Sequence, residues 1–350
     1  MKDSRHPSLG LRYGMSYELP ALPTRLPLLL HPDFAATAPR VADWLRPYLV
    51  DYFGDPGTAE KYLRQDLHRW GAWCVPHTHP ARFFAQQVWM NCAALLDDAF
   101  SAPDLPSRDA LADELCAALD GDPGVTSPLA RMIRAGHDLL EPLCASLGER
   151  LIAAGKAVIR NNAEQAHVAE FDDLDTYLGP TRHVNTTGYW TPTLAEWALD
   201  IDLGDLTATD PELHRACLSV MDHWVLVNDL YSFPKEIEEG EKLNAVWILL
   251  ARGIPLQQAL DTIAARAMAT EDRFVHSRQR VLAGPLGDRA DVRLFVTELG
   301  HMISGNLRFH RETTRYHGAG WTAADDRAGA VDRERKTLHR LGTVHNPLPD

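Results

Sequence analysis

The sequence predicts an all-α fold, a single-domain α-helical bundle, and three observations carry that reading. Apolar residues recur at helical spacing from Phe34 to Tyr316. No alternating β-branched runs joined by hairpin signals interrupt them. Clusters rich in Pro, Gly and Asp divide the pattern into long segments: "SAPDLPSRD" (101–109), "DGDPGVTSP" (120–128), "LDIDLGDLTATDP" (199–211) and "LAGPLGDRAD" (282–291).

Taken in order, residues 1–30 hold several prolines and no helical period, and read as an irregular N-terminal arm. Residues 31–316 read as the helical domain. Within it helices are expected over 81–100, 109–119, 128–155, 156–169, 192–200, 211–238, 243–252, 255–281 and 289–316. Residues 317–350 are charged and end in prolines, which predicts a mobile tail with room for one amphipathic helix. The chain has 350 residues, 45% hydrophobic and 24% charged, an ordinary globular composition. A formal net charge of −13 argues against non-specific nucleic-acid binding, which needs a basic surface. Cys74, Cys92, Cys116, Cys144 and Cys217 are odd in number and form no CxxC pair, as expected of reduced thiols in a cytoplasmic protein. No stretch has the length of a membrane span.

The most informative stretch is "VNDLYSFPKE" (227–236). Asn228, Ser232 and Glu236 fall at i, i+4 and i+8 and share one helix face. An amide, a hydroxyl and a carboxylate on one face make an oxygen-only arc, suited to a hard cation such as Mg2+. A solvated amphipathic face would show the same spacing, but "MDHWVLVNDLYSF" embeds the arc in an apolar run. Pro234 lies inside the arc and predicts a kink within 230–236. Two carboxylates, Asp97 and Asp98, end the apolar segment "VWMNCAALLDDAF". Arg182 sits in the Gly- and Thr-rich stretch "GPTRHVNTTGYW", and Arg315-Tyr316 closes "GNLRFHRETTRY". Both are good donors to phosphate oxygens, although each taken alone is an ordinary surface residue.

In this order on an all-helical chain, these elements resemble the bacterial class I terpene synthases. Asp97-Asp98 resembles the family's aspartate-rich motif, and Asn228, Asp229, Ser232, Lys235 and Glu236 fill the specified positions of its second metal motif. Arg182 stands where the family carries its diphosphate-sensing arginine, and Arg315-Tyr316 matches the terminal pair. Phe309 falls where many members have tryptophan. "NAV" (244–246) and the opening "YELPALPTRLPLLLHPDF" are also similar to family features. The sequence departs from the pattern at Asp97-Asp98-Ala99-Phe100-Ser101, where the usual third acid is missing and Asp104 comes only after Pro103. Asn185 and Thr186, downstream of Arg182, also depart from it.

The resemblance implies a class I terpenoid synthase bundle with a central apolar cavity. Its metal ligands would be Asp97, Asp98, Asn228, Ser232 and Glu236, with three Mg2+ ions when substrate is bound. Arg182, Lys235, Arg315 and Tyr316 would bind diphosphate. It implies ionisation and cyclisation of a linear prenyl diphosphate, farnesyl diphosphate first and geranylgeranyl diphosphate second; family members often form antiparallel homodimers. A carbocation needs a dry, closed pocket with π-faces. Phe309, Trp89, Phe84, Trp190 and Trp224 are the aromatic candidates, with Trp70 and Phe83 behind them. Three rival readings explain less. A metal-dependent phosphohydrolase would carry an HxxxH arrangement, which the sixteen histidines do not form. A chain-elongating prenyltransferase normally carries two aspartate-rich motifs, and a non-catalytic helical protein would carry the polar arc only as a solvated face.

Overall fold

The computed structural model describes residues 5–6, 9–12, 14–102, 105–140, 147–165, 171, 173–179, 182, 190–318 and 334–338. Asp104, Cys144, Asn185 and Thr186 lie outside them. The fold is all-α. The helices that position the site are α1 (Phe34–Phe53), α2 (Pro56–Leu63), α3 (Leu67–Cys74), α4 (Pro80–Phe100), α5 (Arg108–Leu119), α6 (Pro128–Leu140) and α7 (Leu147–Gln165). They are followed by α8 (Leu174–Tyr177), α9 (Trp190–Leu199), α10 (Leu206–Thr209), α11 (Pro211–Glu239) and α12 (Ala245–Ala251). The last are α13 (Leu256–Ala283), α14 (Ala290–Glu312) and α15 (Thr314–His317). No helix among the described residues is long and apolar enough to cross a membrane.

Local chemistry explains where the central helices start and stop. The Asp210 carboxylate accepts from the amides of Glu212 and Leu213, with Pro211 at the first helical position, so α11 begins there. It ends at Gly240, whose φ of 77° supplies the left-handed cap. Pro234 lies inside α11, and the helix continues through it as one element. The proline's missing N–H forgoes one backbone hydrogen bond without terminating the helix.

α11 packs along α13 and α14, and α14 crosses α3 closely. That crossing requires Gly305. A Cβ there would sit 2.5 Å from the Trp73 backbone. The close approach brings Trp70 of α3 within a 5.7 Å stacking contact of Phe309 on α14. Cys74, Cys92, Cys116 and Cys217 are buried free thiols.

The structure corrects the sequence reading at three places. The expected boundary at 155/156 is absent, because α7 runs through Gly155. A Cβ at Gly155 would press on Leu119 at 3.2 Å and Trp190 at 3.5 Å, so that glycine serves a helix crossing and not a break. The N-terminal arm is not wholly irregular: Arg5–His6 (β1) pairs with Leu11–Arg12 (β2). The tail contributes a strand where a helix was allowed for. Glu334–Thr337 (β4) pairs antiparallel with Ser16–Leu19 (β3), Ser16 opposite Thr337. Leu338 beyond it is buried, and Lys336 contacts His317 at 3.1 Å beside the terminal Arg-Tyr pair.

Candidate active site

One cavity of about 910 Å³ is lined by α4, α11 and α14 and receives most of the predicted residues. The lining on α4 is Met90, Ala93, Ala94, Leu96, Asp97 and Phe100, with Met90, Ala93, Ala94 and Asp97 forming an i, i+3, i+4, i+7 stripe. On α11 the apolar Trp224 and Val225 precede Asn228, Lys235, Glu236 and Glu239, and on α4 Met90, Ala93 and Ala94 precede Asp97, so the cavity has a greasy end and a charged end. Trp70 lies 5.0 Å from Trp224 and 5.7 Å from Phe309, forming an aromatic wall. The Trp70 indole N–H is satisfied by Asn306 Oδ1 at 2.9 Å, which fixes the ring within that wall.

At the charged end the two aspartates part company. Asp98 turns aside and accepts a two-pronged bond from Arg315, at 2.9 and 2.6 Å, with Lys235 at 3.4 Å. Burial alone would raise its carboxyl, but Arg315 and Lys235 outweigh that and hold it below the usual range. Asp97 opens onto the cavity. Its carboxyl is raised, first by enclosure in protein and then by Asp98 beside it. Lys235 also pairs with Glu239 at 2.7 Å, and Arg315 with Gln65 at 3.0 Å.

Arg182 is held by a buried cage. Asp229, wholly enclosed, accepts from Arg182 Nη2 at 2.9 Å, from the Tyr177 hydroxyl at 2.7 Å and from the Ala245 amide at 2.8 Å. The Arg182 guanidinium also lies over the Tyr177 ring, 5.2 Å from its centre. Asn244 completes the cage. Its Oδ1 caps α12 at the Val246 amide (2.7 Å), while its Nδ2 donates to the Asp229 carbonyl (2.9 Å) and to Glu236 Oε2 (2.7 Å). Burial and the nearby Asp229 push the Glu236 carboxyl up to about 8.

The Asn228 amide has a single consistent orientation. His310 Nδ1 faces the Asn306 carbonyl at 2.7 Å and must donate to it, because a carbonyl only accepts. Burial lowers the His310 pKa to about 3, so the ring is neutral and its Nε2 carries a lone pair. That lone pair accepts from Asn228 Nδ2 at 3.2 Å, and the Tyr316 oxygen accepts from the same Nδ2 at 3.0 Å. Tyr316 is held in turn, stacked on His310 at 5.0 Å and 6°. Asn228 Oδ1 is therefore the end left for another partner.

Three oxygens on one face of α11 thus fit a hard cation. Ser232 is buried, and its Oγ has no hydrogen-bond partner among the described residues. An orphaned buried hydroxyl costs free energy unless something else claims it. Ser232 does not itself line the cavity, but with Asn228 Oδ1 one turn before it and Glu236 one turn after, an oxygen-seeking ion would fit its hydroxyl.

The sequence pattern described as "Terpene synthase family 2, C-terminal metal binding" matches residues 88–273, more than half of the chain. The chain belongs to this terpene synthase family. It is 24% identical to the (3S,6E)-nerolidol synthase of Selaginella moellendorffii over 345 residues, covering 95% of this chain and 91% of that protein. It is 26% identical to the (2Z,6E)-hedycaryol synthase of Kitasatospora setae over 348 residues, covering 93% and 99%. Its fold matches the crystal structure of hedycaryol synthase in complex with nerolidol at a TM-score of 0.68, with 23% identity over 83% of this chain and 99% of that one. The reconstructed ancestral protein SVS_A2 gives a TM-score of 0.73 at 20% identity, over 83% and 90%.

For this terpene synthase the structure gathers Asp97, Arg182, Asn228, Lys235, Glu236, Arg315 and Tyr316 at one cavity, together with Trp190, Trp224 and Phe309. Trp89 and Phe84, expected in the pocket, do not line it. Trp89 turns away, donating to the Gly136 carbonyl at 3.1 Å, and Phe84 lies under Arg40 at 5.1 Å. Helical period could not separate them from Met90 and Ala93, because α4 is buried on nearly all sides. Phe83 stacks on His31, 3.6 Å away, in a separate apolar cluster. Tyr177, Gln65 and His310 were missed. Only His310 carried a sequence signal, one residue after Phe309 and six before Tyr316.

Proposed function

We propose that this chain is a class I terpene synthase that ionises a linear prenyl diphosphate, releases diphosphate and cyclises the cation to a terpene hydrocarbon or alcohol. The observation that carries this is the cavity itself, where Asp97 on α4 and Asn228 and Glu236 on α11 share a charged end above an aromatic wall. Residues 31–316 form the catalytic domain. Farnesyl diphosphate is the first substrate to try, in keeping with the sesquiterpene names of the relatives; geranylgeranyl diphosphate is second.

Asp97, Asn228 Oδ1, Ser232 Oγ and Glu236 would hold Mg2+, three ions with substrate bound, and Asp98 would support Asp97 through Arg315 and Lys235. Bound there, the cations supply Lewis-acid neutralisation of the leaving diphosphate. Arg182, Lys235, Arg315 and Tyr316 donate to the departing oxygens and are already aimed by Asp229, Glu239, Asp98 and His310. Trp70, Trp224 and Phe309 then face the hydrocarbon, excluding water and offering π-density to positive charge.

Incubation with C10, C15 and C20 diphosphates, with and without Mg2+, followed by gas chromatography–mass spectrometry, tests the reading. Cyclic products from the C15 substrate only with Mg2+ support it. Chain-elongated diphosphates, or no diphosphate release from any substrate, overturn it.

A further inference from the structure

A second cluster lies at the other end of the bundle. His77, Glu298 and His301 bring one ligand atom each to within 4.8 Å of one another. Glu298 is wholly buried on α14. Its Oε1 accepts from the His77 backbone amide at 2.9 Å and faces His77 Nδ1 at 2.7 Å. Its Oε2 has no hydrogen-bond partner among the described residues. A buried carboxylate oxygen without a donor is costly, and an ion is one of the few things that removes the cost.

His301 is set up as a ligand. Its Nδ1 faces the Pro27 carbonyl at 3.0 Å and must donate to it. Nε2 is then the bare nitrogen, the arrangement in which metal-bound imidazoles are usually oriented by a carbonyl behind them. The His77 and His301 rings stand 5.4 Å apart. The His77 side chain is 43% exposed, so an ion has a way in and room for a water. His77 and Arg278 both act against positive charge at His301, and Glu298 is the carboxylate of the cluster.

This place is distinct from the oxygen-lined site. His77 precedes the first turn of α4 and Asp97 lies in the last, about 25 Å away at 1.5 Å per residue. All three residues also fall outside 88–273, the span matched by the family's metal-binding pattern. Two imidazoles and one carboxylate suit a borderline divalent ion, not Mg2+.

We propose that His77, Glu298 and His301 form a separate site for a transition ion of the zinc class. The ion would tie the Pro27 segment, the 75–79 turn and α14 together, so its role is structural.

Untagged protein stripped with a chelator is titrated with Co2+ alone, read by its visible absorption, and the ion is then displaced with Zn2+. Wild type should bind about one equivalent, and Zn2+ should raise the melting temperature. Glu298→Gln and His301→Ala should each weaken binding about ten-fold or more, while His276→Ala, an exposed histidine outside both sites, leaves it unchanged. His77→Ala, an exposed change, carries the test if His301→Ala does not fold. Absence of Co2+ binding by wild type, or equal binding by Glu298→Gln and His77→Ala, overturns the proposal. Neither result bears on the terpene synthase reading, which product formation from prenyl diphosphates tests separately.

Discussion

Asp229→Asn is the perturbation that separates folding from chemistry most cleanly. Asp229 is wholly buried and receives three donors, from Arg182, Tyr177 and Ala245. An asparagine must aim its own NH2 at one of them, and it removes the carboxylate that the buried Arg182 guanidinium donates to. Breaking a buried pair by removing one partner costs about 3–5 kcal/mol. Removing both charges in Asp229→Asn/Arg182→Met should recover most of that, giving a coupling energy of about 2 kcal/mol or more. Activity should not recover, because the diphosphate donor is gone. Loss of one such donor typically costs about 10²–10³ in kcat. Urea unfolding of the four proteins at pH 7 measures the cycle, and diphosphate release measures the chemistry. A double variant no more stable than the worse single, or one with wild-type turnover, would refute the reasoning.

Three further outcomes are expected. Glu236 holds a proton in the folded metal-free protein up to about pH 8, whereas an ordinary glutamate releases it near 4.5. The folded form therefore binds more protons between those values, and metal-free stability falls as pH rises from 4.5 to 8. The ceiling is about 5 kcal/mol, trimmed to about 1–2 kcal/mol because Glu236 borders the cavity. Melting temperature against pH should show that slope in wild type and lose it in Glu236→Gln. Asn244→Ala removes a helix cap and the donors to Asp229 and Glu236, so it should cost about 2–4 kcal/mol in urea unfolding. Unchanged stability would deny Asn244 its place in the cage. His310→Phe keeps a ring against Tyr316 but removes the lone pair that orients Asn228. The Mg2+ concentration for half-maximal activity should rise about 2–5-fold. Adding Asn228→Asp should restore it, since a carboxylate needs no orienting; no restoration would contradict the amide assignment.

The fold class and the charged end of the cavity were legible because both rest on spacing. Asn228, Ser232 and Glu236 sit four apart, and helical geometry alone puts them on one face. Asp97 opposite Glu236 also follows once both belong to long helices of one bundle. What spacing could not supply was direction within a fully buried helix. Trp89 and Trp190 read alike in the sequence, yet only Trp190 faces the cavity. Contacts between distant segments were equally silent. Ser16–Leu19 alternates polar and apolar over only four residues, Glu334–Thr337 is polar throughout, and their pairing depends on each finding the other. The Tyr177–Asp229–Asn244 cage is similar, since its members are unremarkable until α8, α11 and α12 meet.

The central claim is that oxygen ligands on α4 and α11 hold divalent ions against a diphosphate. Crystals grown with Mn2+ and inorganic diphosphate, with data collected at a wavelength where manganese scatters anomalously, test it directly. The account predicts anomalous peaks between Asp97 and the arc of Asn228, Ser232 and Glu236, with Arg182 and Arg315 on the diphosphate. Bound diphosphate with no manganese beside those residues would contradict it.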